Sequence, residues 1–326
     1  MRFMKVAEKP IVSSRKRPAR GTAVVEDSTI TVRNVRIPVS RLDKVLYPQA
    51  GFTKGQVIDY YMRIAPALLP HLRDRPLTMK RYPNGTEAPF FYEKRCPSYR
   101  PDWVNTASVW SKENAENVNF CVVNNLPSLV WAANLADLEL HTSLAVRRDL
   151  SCPTMVVFDL DPGAPADVIQ CAEIALWLRA ALEKLGLESF VKTSGSKGLQ
   201  LYIPLNTPVS YDTTKAFARS MAEGLEQEKP ELALSKMRKD LRKGKVFVDW
   251  SQNDFHKTTV CVYSLRAKGQ PTVSTPVSWD EVEAALRKRD AAKLSFVSDE
   301  VLKRAEKLGD LFAPVLTLKQ RLPKIS

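Results

Sequence analysis

Hydrophobic and polar positions change period several times along the chain, and each change predicts an element. Thr29-Ile30-Thr31-Val32 alternates and reads as a first strand, so folded structure is expected from Ser28 onward. Thr53-Lys54-Gly55-Gln56 has the form of a capping box, which satisfies backbone N–H groups that a helix start leaves bare. Val57, Ile58, Tyr61, Ile64, Ala65 and Leu68 then recur at helical spacing, and Pro70 is expected to stop the run. Residues 76–82 read as a strand, Pro83-Asn84-Gly85 as a turn, and 89–103, with its prolines and aromatics, as an exposed loop. Helices are expected over 127–138 and 166–184, the second with Val168, Cys171, Ala172, Ala175, Leu178 and Leu182 on one face. Between them, 153–163 is an apolar strand ending in two aspartates and a turn. Further strands are read at 189–193, 199–204, 245–250 and 259–264, and 279–312 as a helical cap. Strands interleaved with helices in both halves predict an α/β (α+β) fold. With no repeat and no Gly/Ser linker, residues 28–326 are expected to form one domain with a helical C-terminal part.

Composition narrows the class. The 326 residues are 44% apolar and 26% charged, enough to bury a sizeable core. No run of eighteen apolar residues would span a membrane, and the N-terminus lacks a secretory signal. Five cysteines (Cys96, Cys121, Cys152, Cys171, Cys261) are scattered without a CxxC pair, so a reduced, cytoplasmic chain is expected rather than a disulfide or zinc scaffold. Lys and Arg total 49 against 36 acids, a formal charge of +13 that favours a polyanionic partner. Seven basic residues against one acid fall in residues 1–24. Residues 1–27 are therefore expected to be a basic, flexible tail, with a non-specific nucleic-acid arm as the functional alternative.

Candidate chemistry starts at Asp159-Leu160-Asp161. Side chains at i and i+2 of a strand share a face, so both carboxylates would converge at the end of an apolar strand. Such a pair suits hard divalent cations and two-ion phosphoryl transfer; the Asp-Pro-Gly that follows is equally at home in an ordinary turn. Asp249 ends a second apolar strand, Val246-Phe247-Val248, and would complete a metal site if that strand were adjacent. Ser194-Gly195-Ser196-Lys197-Gly198 joins two strands and is either a phosphate cradle or a plain hairpin turn. Its spacing excludes a P-loop. His141 is one of three histidines and could equally be a satisfied core residue. Residues 236–245 carry six cations and one acid just before the Asp249 strand, as a phosphate guide or a solvated helix face. Phe90, Phe91 and Tyr92 could stack on bases or simply pack.

Eight stretches occur in one order: RLDKVLYPQAGFTKGQVIDYY, LTMKRYPNG, FFYEKR, WAANLADLELHT, VFDLDPG, KTSGSKGLQLYIPL, VFVDWSQN and KTTVCVYSLRAKG. Together they resemble the bacterial primase-polymerases of the archaeo-eukaryotic primase superfamily, most closely the polymerase module of ligase D used in non-homologous end joining. The resemblance covers roughly residues 40–270 and implies two β-sheets flanked by helices. It implies two Mn²⁺ or Mg²⁺ ions on Asp159, Asp161 and Asp249, and nucleoside triphosphate contacts from Lys80, His141, Ser194, Lys197 and Arg266, with Arg242 and Gln252 nearby. It further implies a DNA 5′-phosphate site at Lys44 and Lys54, template stacking on Phe90 or Phe91, and a preference for ribonucleotides. A helix N-terminus at Lys54 attracts phosphate in its own right.

Two positions depart from the family's pattern. Gln200 stands where relatives usually carry histidine. Arg41 stands where ligase D modules often carry asparagine, and would strengthen phosphate binding. The chain ends near residue 326, so a stand-alone enzyme without a fused ligase or nuclease domain is expected. It would fill gaps in end joining or excision repair, alongside a DNA-end-binding protein and a separate ligase at the nucleoid. Its substrate would be gapped or broken double-stranded DNA. The rival readings are a two-metal nuclease and a non-catalytic DNA-end-binding protein.

Overall fold

The computed structural model describes residues 28–111 and 115–323; the expected basic tail, residues 1–27, lies outside the described residues. Two six-stranded sheets organise the chain. The first runs in the order Ala233–Leu234, Val246–Asp249, Met155–Pro162, Leu199–Pro204, Phe190–Thr193 and Pro276–Val277. Phe158 and Leu160 of its central strand turn into a core shared with Leu178 and Leu182 of a covering helix, which leaves Asp159 and Asp161 for the opposite face. The second sheet runs Thr259–Val260, Asp137–Thr142, Leu77–Arg81, Glu116–Val122 and Asn105–Ser111, with Phe91–Glu93 also paired to Leu77–Arg81.

Among the described residues the α-helices are α1 (Lys54–Leu72), α2 (Leu126–Asn134), α3 (Val168–Lys184), α4 (Tyr211–Glu228), α5 (Trp279–Lys288) and α6 (Ser298–Leu308). None is long and apolar enough to cross a membrane. The capping box at Thr53 forms as expected, with the Thr53 side chain accepting from the Gln56 N–H and the Gln56 side chain from the Thr53 N–H. Pro70 does not end α1. A proline removes one donor and leaves later ones intact, and burial of Leu68, His71 and Leu72 carries the helix on to Leu72.

Other expectations need correction. The helix read over 127–138 ends at Asn134, because Ala136 takes a positive φ of 57° and Asp137 and Leu138 open the strand Asp137–Thr142. The strand read over 259–264 pairs only at Thr259 and Val260; beyond it Tyr263 adopts φ 64° and its N–H donates to Ser274 instead. Within the 89–103 loop, Phe91–Glu93 forms a short strand. Segment 236–245 is an exposed loop with one 3₁₀ turn, Lys239–Leu241, rather than a helix. Helix α4 and the Asn105–Ser111/Glu116–Val122 hairpin had no counterpart in the sequence reading.

Cys96 and Cys121 form a disulfide, contrary to the expectation of five free thiols. Spacing along the chain carries no proximity: the Cys96 N–H donates to the Asn119 carbonyl at 2.7 Å, and with the Cα atoms of Cys96 and Cys121 4.8 Å apart the disulfide ties the segment after Phe91–Glu93 to the strand Glu116–Val122. Cys152, Cys171 and Cys261 are free.

Candidate active site

Strand pairing brings the three aspartates together. Asp159 and Asp249 are direct register partners across antiparallel strands, and Asp161 lies two residues along from Asp159. Desolvation, then the neighbouring Asp161 carboxylate, pushes Asp159 up to about 7. Asp161 is also raised, by desolvation, while Arg242, Arg266 and Lys197 pull it back. Asp249 is buried, and its oxygens are already engaged. The Ser251 N–H and hydroxyl donate to Oδ1 at 2.9 and 2.6 Å, and Gln252 Nε2 donates to Oδ2 at 2.8 Å. Gln252 therefore orients an aspartate.

Among the described residues no three His, Cys, Asp or Glu side chains form a ready-made metal cage. The donor set nevertheless fits a hard divalent cation. It is all oxygen, and its mutually repelling carboxylates would be relieved by positive charge.

Two turns hold this wall in place by glycine. A Cβ at Gly198 would lie 1.8 Å from the Leu160 carbonyl, so only glycine lets the Ser194–Gly198 turn press against the aspartate strand. A Cβ at Gly163 would meet the Arg242 carbonyl at 2.0 Å, and the Gly163 N–H donates to the Lys245 carbonyl at 2.8 Å. The basic loop is thereby bonded to the turn after Asp161, and the Arg242 guanidinium rests 4.0 Å from the Phe247 ring centroid. Ser194 Oγ accepts from the Ser196 and Gly198 N–H groups, which closes the hairpin turn and leaves the hydroxyl proton to donate. Lys197 is exposed on that turn.

The opposing wall is organised by Glu139, which the sequence reading missed. Its Oε1 accepts from Lys80 at 3.3 Å and from the Ala267 N–H at 3.1 Å; its Oε2 lies 3.1 Å from His141 Nε2 and 3.2 Å from Arg266 Nε. Burial alone would raise Glu139, but the His141 hydrogen bond and the charges of Arg266 and Lys80 hold it well below the carboxylate range. His141 is lowered by burial and by Arg266 and Lys80, with Glu139 opposing. Arg266 bridges the walls, since its guanidinium also donates to the Ser194 carbonyl. The signal for Glu139 was present: in Leu138-Glu139-Leu140-His141 it shares a strand face with His141.

Phe90, Phe91 and Tyr92 are exposed beside this cluster. Lys80 Nζ lies 4.4 Å from the Phe90 centroid, the Arg81 guanidinium 5.2 Å from that of Phe91, and the Tyr92 ring 6.1 Å from His141. Past Arg81, Lys44 Nζ donates to Pro83 O at 2.6 Å and to Asn84 Oδ1 at 3.0 Å. Lys54, the first residue of α1, is buried and donates to Ser40 O at 2.8 Å. Burial, with Arg41, Lys44 and Arg81 nearby, lowers Lys54 to about 8. Arg41 is exposed, on a backbone with φ 51°. At the other end of the same strand, past Thr78, a cavity of about 440 Å³ opens, with Lys94, Arg95, Trp110, Phe255 and Lys257 in its lining. The buried Thr78 hydroxyl there has no hydrogen-bond partner.

Two sheets whose facing walls carry carboxylates and a caged cation cluster are the architecture of the archaeo-eukaryotic primase class of nucleotidyltransferases. The family described as LigD, primase-polymerase domain, matches residues 53–312, and the chain belongs to it. Among solved structures it is similar to a polymerase domain from Mycobacterium tuberculosis ligase D in complex with DNA, with a TM-score of 0.81 and 39% identity. That similarity covers 87% of this chain and 99% of the other. It is 43% identical over 286 residues to the multifunctional non-homologous end joining protein LigD of Mycolicibacterium smegmatis. It is 32% identical over 275 residues to the bifunctional LigD of Bacillus subtilis. These matches take in 87% and 84% of this chain but 36% and 43% of the relatives, so the chain spans well under half their length.

Proposed function

We propose that residues 28–326 form one catalytic domain that extends DNA, template-dependently, at gaps and breaks in end joining. The observation that carries this is the pairing of Asp159 with Asp249, beside Asp161, on a wall joined by Arg266 to the Lys80–His141–Glu139 cluster. Two divalent ions, Mn²⁺ or Mg²⁺, on Asp159 and Asp161 with Asp249 would lower the pKa of a 3′-hydroxyl and neutralise a triphosphate. Lys80, Lys197, Arg242 and Arg266 supply charge to that triphosphate, the Ser194 hydroxyl and His141 supply polar contacts, and Gln252 steadies Asp249. Glu139 fixes the angles of Lys80, His141 and Arg266 before substrate arrives, which is electrostatic preorganisation.

The basic pocket proposed at Lys44, Lys54 and Arg41 would hold a DNA 5′-phosphate by charge at the positive end of α1, whose first N–H groups already donate to Lys44 O, Leu42 O and Thr53 Oγ1. Phe90 and Phe91 offer faces for the template base. The cavity past Thr78 lies at the opposite end of the strand Leu77–Arg81 from that pocket and suits the strand being extended. A preference for ribonucleotides is part of this proposal and rests on the family resemblance alone.

The deciding experiment incubates the protein with labelled gapped DNA, Mn²⁺ and ribo- or deoxynucleoside triphosphates in turn. Lengthened primer supports the reading. Shortened DNA would assign a nuclease, and a mobility shift without either product a DNA-end binder. Faster use of deoxynucleotides would remove the sugar preference alone.

A further inference from the structure

Four side chains stand in one row across the first sheet. Lys192 is the register partner of Gln200, Gln200 of Asp159, and Asp159 of Asp249. Directly opposite residues on neighbouring strands share a face, so the row leads from a buried lysine to the paired carboxylates. Lys192 is completely buried, and its ammonium donates to Gln200 Oε1 and to Ser274 Oγ, both at 2.6 Å. The Tyr202 hydroxyl donates to the same Gln200 oxygen at 3.3 Å. Both partners of the Lys192 ammonium are neutral, although a buried ammonium is costly to keep.

These contacts decide which way the Gln200 amide faces. Its oxygen has two lone pairs, and two donors take them. The amide nitrogen, which only donates, is left on the face that Gln200 shares with its register partner Asp159, within reach of that carboxylate. An amide free to flip could also turn its oxygen toward the carboxylate, which repels it. The lysine removes that choice.

We propose that Gln200 is a positioning residue for the metal-binding carboxylate of Asp159, and that Lys192 acts through it by locking the orientation of its amide. The proposal rests on the two-ion reading above. Side chains that hold a metal ligand in place change metal affinity 10–100-fold when removed. Because Lys192 reaches Asp159 by way of Gln200, its contribution should vanish once Gln200 is gone, which is the non-additivity expected of residues in one network.

The test is a Mn²⁺ titration of the full chain without DNA or nucleotide, read by the paramagnetic resonance signal of free Mn²⁺, with Asp159→Asn as control. Gln200→Met should weaken binding at least tenfold. Lys192→Met should weaken it less, and the double variant should bind no worse than Gln200→Met alone. Gln200→His, which keeps a ring N–H donor, should stay within about threefold of wild type on the same scale. If Gln200→Met does not fold, Gln200→Asn, whose amide is one methylene too short, carries the same expectation. In extension assays kcat should fall while the nucleotide KM holds.

Wild-type Mn²⁺ affinity in Gln200→Met or Gln200→Asn, with binding lost in Asp159→Asn, would overturn the positioning role. Additive losses in the double variant would overturn the relay through Lys192. Unchanged binding in Asp159→Asn would overturn the two-ion reading and this proposal with it.

Discussion

Asp159 faces Asp249 directly across two antiparallel strands, where opposite like charges destabilise a sheet. The chain keeps them together with Asp161 next along, so the cleft stores repulsion that a cation would relieve. Asp159→Asn should therefore abolish primer extension yet raise thermal stability in chelator. The gain belongs above pH 7, since Asp159 is raised to about 7 and its charge is what the fold resists. Calorimetry at pH 8 should show a melting temperature about 1–3 °C higher, and an unchanged or lower one would count against stored repulsion.

Asp161→Ala should eliminate extension while gapped-DNA binding survives, because the proposed phosphate contacts are at Lys44 and Lys54, not at the aspartates. Near-normal extension by this variant would remove Asp161 from the metal site. Wild-type behaviour of Asp249→Ala would remove only the third carboxylate.

Glu139→Gln should do more damage than its distance from the aspartates suggests. It would leave Lys80, His141 and Arg266 gathered without their shared anion. Breaking a buried ion pair from one side costs about 3–5 kcal/mol. Nucleotide KM should rise at least tenfold and the melting temperature should drop. A variant with normal KM would show that the cluster holds the fold and not the substrate.

Lys44→Ala/Lys54→Ala should lose more than tenfold affinity for gaps with a 5′-phosphate, at about 1.5–3 kcal/mol per charge-assisted contact. Gaps ending in 5′-hydroxyl should bind variant and wild type alike. Lys54 adds a pH signature. Lowered to about 8, it is charged at pH 7 and neutral at pH 9, so phosphate selectivity should decline across that interval. Lys54→Arg should flatten the decline. Parallel losses on both DNAs in fixed salt would reduce the pocket to diffuse attraction.

Trp110→Ala tests the cavity past Thr78. Base stacking on an aromatic contributes about 1–3 kcal/mol, so KM for primer should rise at least fivefold while nucleotide KM holds. An unchanged primer KM would place the extended strand elsewhere.

Periodicity and capping made the local structure legible: the Thr53 box, the Asp159 strand and the Ser194–Gly198 turn all stand where local rules put them. Alternation also determined that Asp159 and Asp161 share a face, because a strand allows nothing else. The resemblance named the family and supplied the candidate site residues. Strand adjacency was beyond both periodicity and capping. Whether Asp249 stands beside Asp159, or Cys96 beside Cys121, depends on register between segments far apart in sequence. Lys192 was illegible as a partner for the same reason, and so were the contacts of Glu139 with Lys80 and Arg266. A buried charge is tolerated only for what surrounds it, and tertiary packing alone decided those surroundings: Lys80 and Arg266 for Glu139, the Gln200 amide for Lys192.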